Sequence, residues 1–418
     1  MDIVLEIAKR AKESTGLISN AGTVVKNKIL SDISEYLVSS AGEIIKENEK
    51  DLKKSAREGI SESLLDRLKF DRQRIEKKAE SIDKVIRFTD PVGEIIFGYN
   101  LPNGLILKNV RVPLGVVGVI YEARPDVTVD ASVLCVKAGN CIVLRGSSHA
   151  INTNKKLVEV MGRALENNNF PQSIIQIIPT TGREDAVRLM QLRQYIDVLI
   201  PRGGKDLIDS VVENSKVPVI ETGIGNCHVY IDNMLEGISE DVISEIIINS
   251  KTQRPSVCNA AEKLLVHKDA AGKILPPVLK NLESKNVELL GCSESKKIYP
   301  SIKLASEEDW YKEYLDYKMA VKIIGSIEEA VKHINKYGSH HTETIITSGY
   351  KNSIYFTNAI DSSTVFVNAS TRFTDGEQFG MGTEIGISTQ KLHWRGPMGL
   401  RELTTNKFIV LGDGQIRK

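Results

Sequence analysis

From Val127 to Gly223 short apolar, β-branched runs alternate with helix-like stretches, and no other feature of the sequence restricts the possible folds as strongly. The reading is a helix over Val127 to Lys137, a strand CIVLRG from Cys141, a helix over about Asn152 to Asn167 and a strand SIIQIIPT. A helix from Arg183, a strand IDVLIPRG, a helix from Lys205 and a strand VPVIETG follow. Strands joined through helices with short connections run parallel, so this stretch predicts an open α/β sheet covered on both faces. Ligands then belong at the C-terminal ends of its strands.

The flanks have different textures. Up to about Phe88 the chain is rich in Lys, Glu and Ser, with apolar residues at helical spacing such as Ile29, Ile33, Tyr36 and Leu37, which predicts several amphipathic helices. Asp90 to Val129 turns to Pro, Gly and β-branched residues, as a hairpin or a crossing into a sheet would. Beyond a helix near Glu240 to Ser250 a second, shorter α/β series begins. Its strands are AEKLLVH, VELLG, MAVKIIG, HTETIIT and STVFVNA, and its helices cover Ala270 to Leu282, Ile327 to Lys336 and the Tyr350 region. From Asn368 onward the chain is dense in Gly and Thr and less periodic, which suits a segment wrapping another domain or subunit.

At 418 residues the chain has room for two to three domains, each with its own core. Lys and Arg number 55 against 54 Asp and Glu, so no global field exists to hold a nucleic acid or a membrane surface. No apolar run reaches the roughly 20 residues of a spanning helix. The opening MDIVLEIAKRAKES lacks the basic-then-apolar layout of a secretory signal, so the expectation is a cytoplasmic protein. Five cysteines without C-x-x-C spacing argue against a disulfide framework or a zinc knuckle, so any cysteine that matters acts as a thiol.

Among motifs, G-x-x-x-x-G-K-[ST] is missing and GIGNCH lacks the last Gly of G-x-G-x-x-G. PRGGK at Pro201 to Lys205 follows a strand and opens a helix, where amide N–H groups and the helix dipole can hold a phosphate, although Gly-Gly at such a turn is more often plain turn chemistry. TQRPSVCNA places Cys258 at a helix-to-strand junction beside Arg254, where a thiolate could be activated, although most free cysteines are packing residues. Cys135 and Cys141 lie in apolar runs and read as core; Cys227 and Cys292 have no activating sequence neighbour. The histidines form no metal set, with no H-E-x-x-H and no helical pair at His340-His341. The densest polar run, Val367 to Pro397, reads as a site or a subunit contact rather than a structural loop.

These blocks in this order resemble the γ-glutamyl phosphate reductase (glutamate-5-semialdehyde dehydrogenase) family of the aldehyde dehydrogenase superfamily. The residues that carry the likeness are GVIYEARPDVTVDA, KAGNCIVLRGSSHA, IPRGGKDLI, PVIETGIGNCHVYID, RPSVCNAAEKLL, GSHHTETIIT and VNASTRFTDGEQFGMGTEIGISTQKLHWRGPMGL. The resemblance implies an α/β architecture of two open domains plus an oligomerisation arm. Residues 1–235 would bind the cofactor, with 105–128 contributing to an oligomerisation hairpin. Residues 236–365 would form the catalytic domain, and 366–418 a C-terminal segment lining the site and the subunit contact.

It further implies Cys258 as nucleophile toward L-glutamyl 5-phosphate, and reduction by NADP(H) of the resulting thioester to the semialdehyde, the second step of proline biosynthesis. Arg145 and Ser148 stand where NAD-preferring relatives place a Lys and a ribose-binding Glu. A cation without a carboxylate suits a 2′-phosphate, with Ser147 alongside. Gly203 and Gly204 fall at the pyrophosphate or adenosine side, and Glu313 at the nicotinamide ribose. Arg124, Ser370, Thr371 and Arg372 are the candidates for the substrate's anionic ends. Glu221 matches the water-activating Glu of aldehyde-oxidising relatives, a role with no use when phosphate is the partner. Ala123 stands where relatives carry an Asn oxyanion donor, which leaves the Cys258 N–H as the one assigned donor.

A homo-oligomer, at least a dimer, and a transient complex with a separate glutamate 5-kinase are expected, and neither nucleic acid, membrane nor metal. The competing readings are a CoA-dependent aldehyde dehydrogenase of the same superfamily and a catalytically silent scaffold.

Overall fold

The fold was obtained as a computed structural model, which describes residues 2–417. Five helices come first: α1 (Ile3–Ser19), α2 (Thr23–Ser39), α3 (Ala41–Arg57), α4 (Glu62–Leu68) and α5 (Arg72–Arg87). Asp2 and Asp71 begin α1 and α5 by accepting the N–H groups of Leu5 and Arg74, donors that the helix itself leaves unpaired. On α1 the buried residues Val4, Ile7, Ala8, Ala11 and Ile18 fall on one stripe, as the apolar spacing requires.

Two antiparallel strands follow, β1 (Ile95–Asn100) and β2 (Ile106–Pro113), and then the alternating series. It comprises β3 (Val116–Tyr121), α6 (Pro125–Lys137), β4 (Cys141–Arg145), α7 (Ile151–Asn167), β5 (Ile175–Ile177), α8 (Arg183–Met190), β6 (Val198–Arg202) and α9 (Lys205–Asn214). The four strands form a parallel sheet in the order β5-β4-β3-β6. All of β3 is buried, as expected of a sheet covered on both faces. Pro125 occupies the first turn of α6, and Gly139, at φ +76°, turns the chain out of that helix in a conformation L side chains avoid.

The second series contains β7 (Cys227–Ile231), α10 (Glu240–Thr252), β8 (Ala261–His267), α11 (Lys268–Ser284), β9 (Glu288–Gly291), α12 (Ser293–Ile298) and β10 (Lys303–Leu304). It continues with α13 (Glu307–Tyr311), β11 (Lys318–Ile324), α14 (Ile327–Tyr337), β12 (Thr342–Ile346), α15 (Tyr350–Ala359) and β13 (Thr364–Val367). Seven parallel strands align as β10-β9-β11-β8-β7-β12-β13. Short strands β14 (Gly386–Ser388) and β15 (Gly396–Met398) pair with each other, and β16 (Thr404–Leu411) joins the free edge of β2 to complete a β1-β2-β16 sheet. β1 and most of β16 are exposed, including Phe97, Tyr99, Phe408 and Val410.

Two compact units result. The first runs through Glu221 and takes back Gly380–Gly386 and the stretch from Met398; the second comprises Thr222–Phe379 and Ile387–Pro397. The division drawn at 235 therefore falls earlier, because β7 belongs to the seven-stranded sheet, and 366–418 is shared rather than separate. The hairpin placed at 105–128 is β1 with β2; β3 and the start of α6 belong to the parallel sheet. The strand expected at VPVIETG is reduced to two isolated bridges, Leu199 to Val219 and Thr222 to Ser388. Pro218 accepts from Leu199 N–H but has no N–H to extend the ladder. Among the described residues no helix is long and apolar enough to cross a membrane, and no group of three or more His, Cys, Asp and Glu is placed to hold a metal ion.

Candidate active site

In the second unit Cys258 lies in the loop between α10 and β8, partly accessible, while Cys135, Cys141 and Cys227 are buried. Burial pushes the thiols of Cys135 and Cys227 well up, which leaves them inert, and that of Cys141 up to about 12. The main chain around Cys258 is tightly bounded. A Cβ on Gly225 would lie 1.5 Å from the Cys258 carbonyl oxygen, so only glycine lets the two backbones touch. The Cys227 thiol donates to that same oxygen at 3.1 Å. Asn259 donates from Nδ2 to the Thr374 carbonyl at 2.7 Å.

The turn at Thr371–Phe373 is laced to α10. Ser250 Oγ donates to Ser370 Oγ at 3.0 Å, Thr371 N–H donates to Ser250 Oγ at 3.2 Å, and Arg372 Nε donates to Gln253 Oε1 at 2.8 Å. The Ser370 hydroxyl is thus engaged inside the unit, and Ser370 and Thr371 are buried. Arg372 is half-buried; burial pulls its pKa below the usual value, against Asp375 and Cys258, whose charges act in the opposite sense. Of the three polar residues proposed from this run, Arg372 is the one with a cation in electrostatic range of the thiol.

Glu313 lies in the segment between α13 and β11, and its Oε1 accepts the Gly225 N–H at 2.6 Å. Burial raises its pKa, and the Gly225 N–H opposes the rise. Behind it sit charges the sequence reading passed over. Lys251 and Glu262, both fully buried, pair at 3.0 Å. Lys263 donates to the Lys312 carbonyl at 2.7 Å and covers the Tyr314 ring at 4.5 Å. Desolvation pushes Glu262 up to about 7 and Lys263 down to about 7. A Glu-Lys pair inside the apolar run AEKLLVH was the available signal, since charges in a buried strand need partners.

In the first unit the sequence-chosen residues gather at the C-terminal ends of β4 and β6. One guanidinium nitrogen of Arg145 donates to the carbonyls of Thr181 and Gly182 at 3.0 and 2.9 Å, while its Nε is buried without a protein partner. Ser147 and Ser148 follow in the half-buried turn before α7, where Ser147 Oγ accepts the His149 N–H at 3.2 Å. Gly203 and Gly204 are exposed at the start of α9, and the Gly204 N–H donates to Glu122 at 2.8 Å. A carboxylate thus holds the amide chosen for the pyrophosphate, a neighbour that sequence order, 82 residues apart, could not disclose. Arg124, exposed, precedes α6, and Glu221, half-buried, closes the long stretch of this unit.

A dinucleotide carrying a 2′-phosphate fits this end of the sheet. The unpartnered Arg145 Nε and the serine-rich turn offer donors, and a Cβ on Gly146 would strike Asn154 at 2.4 Å, so the turn hugs the sheet closely.

Residues 3–314 match the aldehyde dehydrogenase family model. The gamma-glutamyl phosphate reductase of Clostridium perfringens is 54% identical over 409 residues, 98% of each chain, and that of Caldicellulosiruptor bescii 51% identical over the full length of both. The crystal structure of the Thermotoga maritima gamma-glutamyl phosphate reductase superposes with a TM-score of 0.97 at 45% identity, covering 99% of this chain and 100% of that one. An acetylating aldehyde dehydrogenase from Geobacillus thermoglucosidasius shares the fold, at a TM-score of 0.71 and 16% identity. The chain belongs to the aldehyde dehydrogenase family and, within it, to the γ-glutamyl phosphate reductases.

Proposed function

We propose that this protein reduces L-glutamyl 5-phosphate to L-glutamate 5-semialdehyde with NADPH, releasing phosphate, as the second step of proline biosynthesis from glutamate. The observation that carries the reading is a partly accessible Cys258 on a backbone-locked loop, in electrostatic range of Arg372, in a chain more than half identical to a named gamma-glutamyl phosphate reductase.

The Cys258 thiolate attacks the acyl carbon. The bond from that carbon to the phosphate oxygen breaks, and inorganic phosphate leaves with its electron pair. The Cys258 N–H faces the negative oxygen of the tetrahedral state. The chemistry the cofactor supplies when bound is a hydride to the acyl carbon. Collapse of the resulting thiohemiacetal returns the aldehyde and the thiolate.

Arg145, Ser147 and Ser148 hold the 2′-phosphate and Gly203 and Gly204 the pyrophosphate or adenosine side. Glu122 gives way at the Gly204 amide, and Glu313 faces the nicotinamide ribose. Arg124 and Arg372 receive the substrate's carboxylate and phosphate. The first unit is then the cofactor domain and the second the catalytic domain. The exposed β1-β2-β16 sheet is the arm of a homo-oligomer, and acyl phosphate passes from a separate glutamate 5-kinase in the cytoplasm through a transient complex.

The test is the reverse reaction, since the acyl phosphate is labile. The protein is incubated with glutamate-5-semialdehyde, phosphate and NADP⁺, and NADPH is followed by absorbance. Phosphate-dependent NADPH formation is expected. Formation that requires CoA in place of phosphate, or none from folded protein, overturns the reading.

A further inference from the structure

We propose that Glu313 is a positioning residue of the nucleophile loop, holding the Cys258 peptide in place through the Gly225 amide whether or not a cofactor is bound. The proposal rests on the assignment of Cys258 as nucleophile.

The geometry forms a closed circuit. Glu313 Oε1 accepts the Gly225 N–H at 2.6 Å. Gly225 meets the Cys258 main chain with no side chain between them, its ideal Cβ position lying 1.5 Å from the carbonyl oxygen and 2.5 Å from Cα. A displacement of Gly225 is therefore passed to Cys258 undamped. The next two residues close the contact. The Asn226 N–H donates to Ser339 Oγ at 2.8 Å, its Nδ2 donates to the carbonyls of Trp310 and Tyr337 at 2.8 and 2.7 Å, and the Cys227 thiol donates to the Cys258 carbonyl.

Glu313 is itself held from the strand that follows the nucleophile. Lys263 of β8 takes the Lys312 carbonyl, and Glu262 of β8 accepts the Leu315 N–H at 3.1 Å. Leu315 sits at φ +55°, a conformation unfavourable for leucine that persists only where its surroundings fix it. Glu262 is in turn fixed by Lys251 of α10, the helix that leads into the loop. β8 thus sends two buried side chains to the 312–315 segment, one of them fixed by α10, and that segment returns one carboxylate to the loop. Packing alone has no use for these charges, because apolar residues of similar size fill such space at no greater cost.

The experiment measures alkylation of Cys258 by iodoacetamide without cofactor, mapped by peptide mass spectrometry across pH, in wild type, Glu313→Gln and Glu313→Asp, with folding checked by circular dichroism. Gln keeps the acceptor and removes the charge; Asp keeps the charge and withdraws the oxygen by one methylene. The expected result is a rate within about twofold of wild type for Glu313→Gln. For Glu313→Asp the rate falls about tenfold, the scale of leaving one buried N–H unpaired, with a parallel loss in kcat. Unchanged alkylation in both variants, with only the NADPH KM raised, overturns the proposal and leaves Glu313 a cofactor contact. Equal slowing in both overturns it in favour of a charge effect. A wild-type Cys258 that is not alkylated at all defeats the nucleophile assignment and the proposal with it.

Discussion

The two parallel sheets share a construction and carry their chemistry at opposite edges. In the first unit β3, β4 and β6 are apolar through their interiors, and polar residues appear only where strands end, at Arg145 and Arg202, with the cofactor candidates just beyond. In the second, ionisable residues enter at the N-terminal edge. His228, Lys263 and Glu343 are register partners across β8, β7 and β12, all buried, and Cys258 precedes β8 on that same edge. His228 Nδ1 and a Glu343 oxygen lie 3.1 Å apart; burial drives the imidazole down and the carboxyl up, which favours the uncharged form of each. On the proposed assignments, the rule that ligands gather at the C-terminal ends of strands holds for the first sheet and is inverted in the second. A strand interior rich in Val, Ile and Leu only has to pack, whereas a strand edge that must hold a backbone in one place carries groups with directional bonds.

Variants separate the two kinds of edge. Cys258→Ser should lower turnover by about 10³-fold or more while NADPH still binds, checked by the reverse assay and a fluorescence titration. Breaking the buried pair with Glu262→Ala should destabilise the protein by about 3–5 kcal/mol, since Lys251 is left charged and unpaired, while Lys251→Met with Glu262→Leu recovers most of it; urea unfolding measures both. In the first sheet Leu199→Ala, at a fully buried position over Gly118, should cost about 3 kcal/mol by cavity formation and leave Cys258 alkylation unchanged below the melting range. If alkylation falls with it, the two edges are not independent. Ser148→Glu should shift preference from NADPH toward NADH by about tenfold through repulsion of the 2′-phosphate, read from the ratio of kcat/KM values.

A last effect is one of pH, because two groups titrate in adjoining windows with opposite sign. Glu262, raised from 4.5 to about 7, keeps a proton that the unfolded chain releases, so its contribution to stability is lost as pH rises from about 4.5 to 7. Lys263, lowered from 10.5 to about 7, has released a proton that the unfolded chain keeps, so stability returns as pH rises from about 7 to 10.5. The melting temperature should therefore pass through a minimum near pH 7, and Glu262→Gln should remove the acidic limb.

Most of the architecture was legible because local pattern encodes it: helices repeat every 3.6 residues, and parallel strands are apolar runs between them. β7 was missed because CHVYI is five residues long and carries at its second position a buried histidine partnered by Glu343, 115 residues away. The placement of Cys258 between a helix and a strand was legible. Its surroundings were not, because Gly225 and Glu313 are 88 residues apart, and nothing local in GIGN or WYKEYL announces that one amide will meet one carboxylate. Ser370 and Thr371 were chosen as hydroxyls in a polar run; sequence alone does not say which hydroxyls face inward, and these do.

The interleaving of the two units has a consequence for how the protein is made. β2 pairs with β16 along its whole length, and Arg111 reaches the carbonyl of Arg401, 290 residues later. At translation speeds of about 5–20 residues per second, that interval is about 15–60 s on the ribosome. Through it β2 presents an unpaired edge beside the exposed aromatics of β1, the geometry that recruits stray strands. The first unit, though begun first, can finish only after the second has emerged, so the nascent chain's time of greatest exposure to chaperones and to misassembly falls while the second unit is being synthesised.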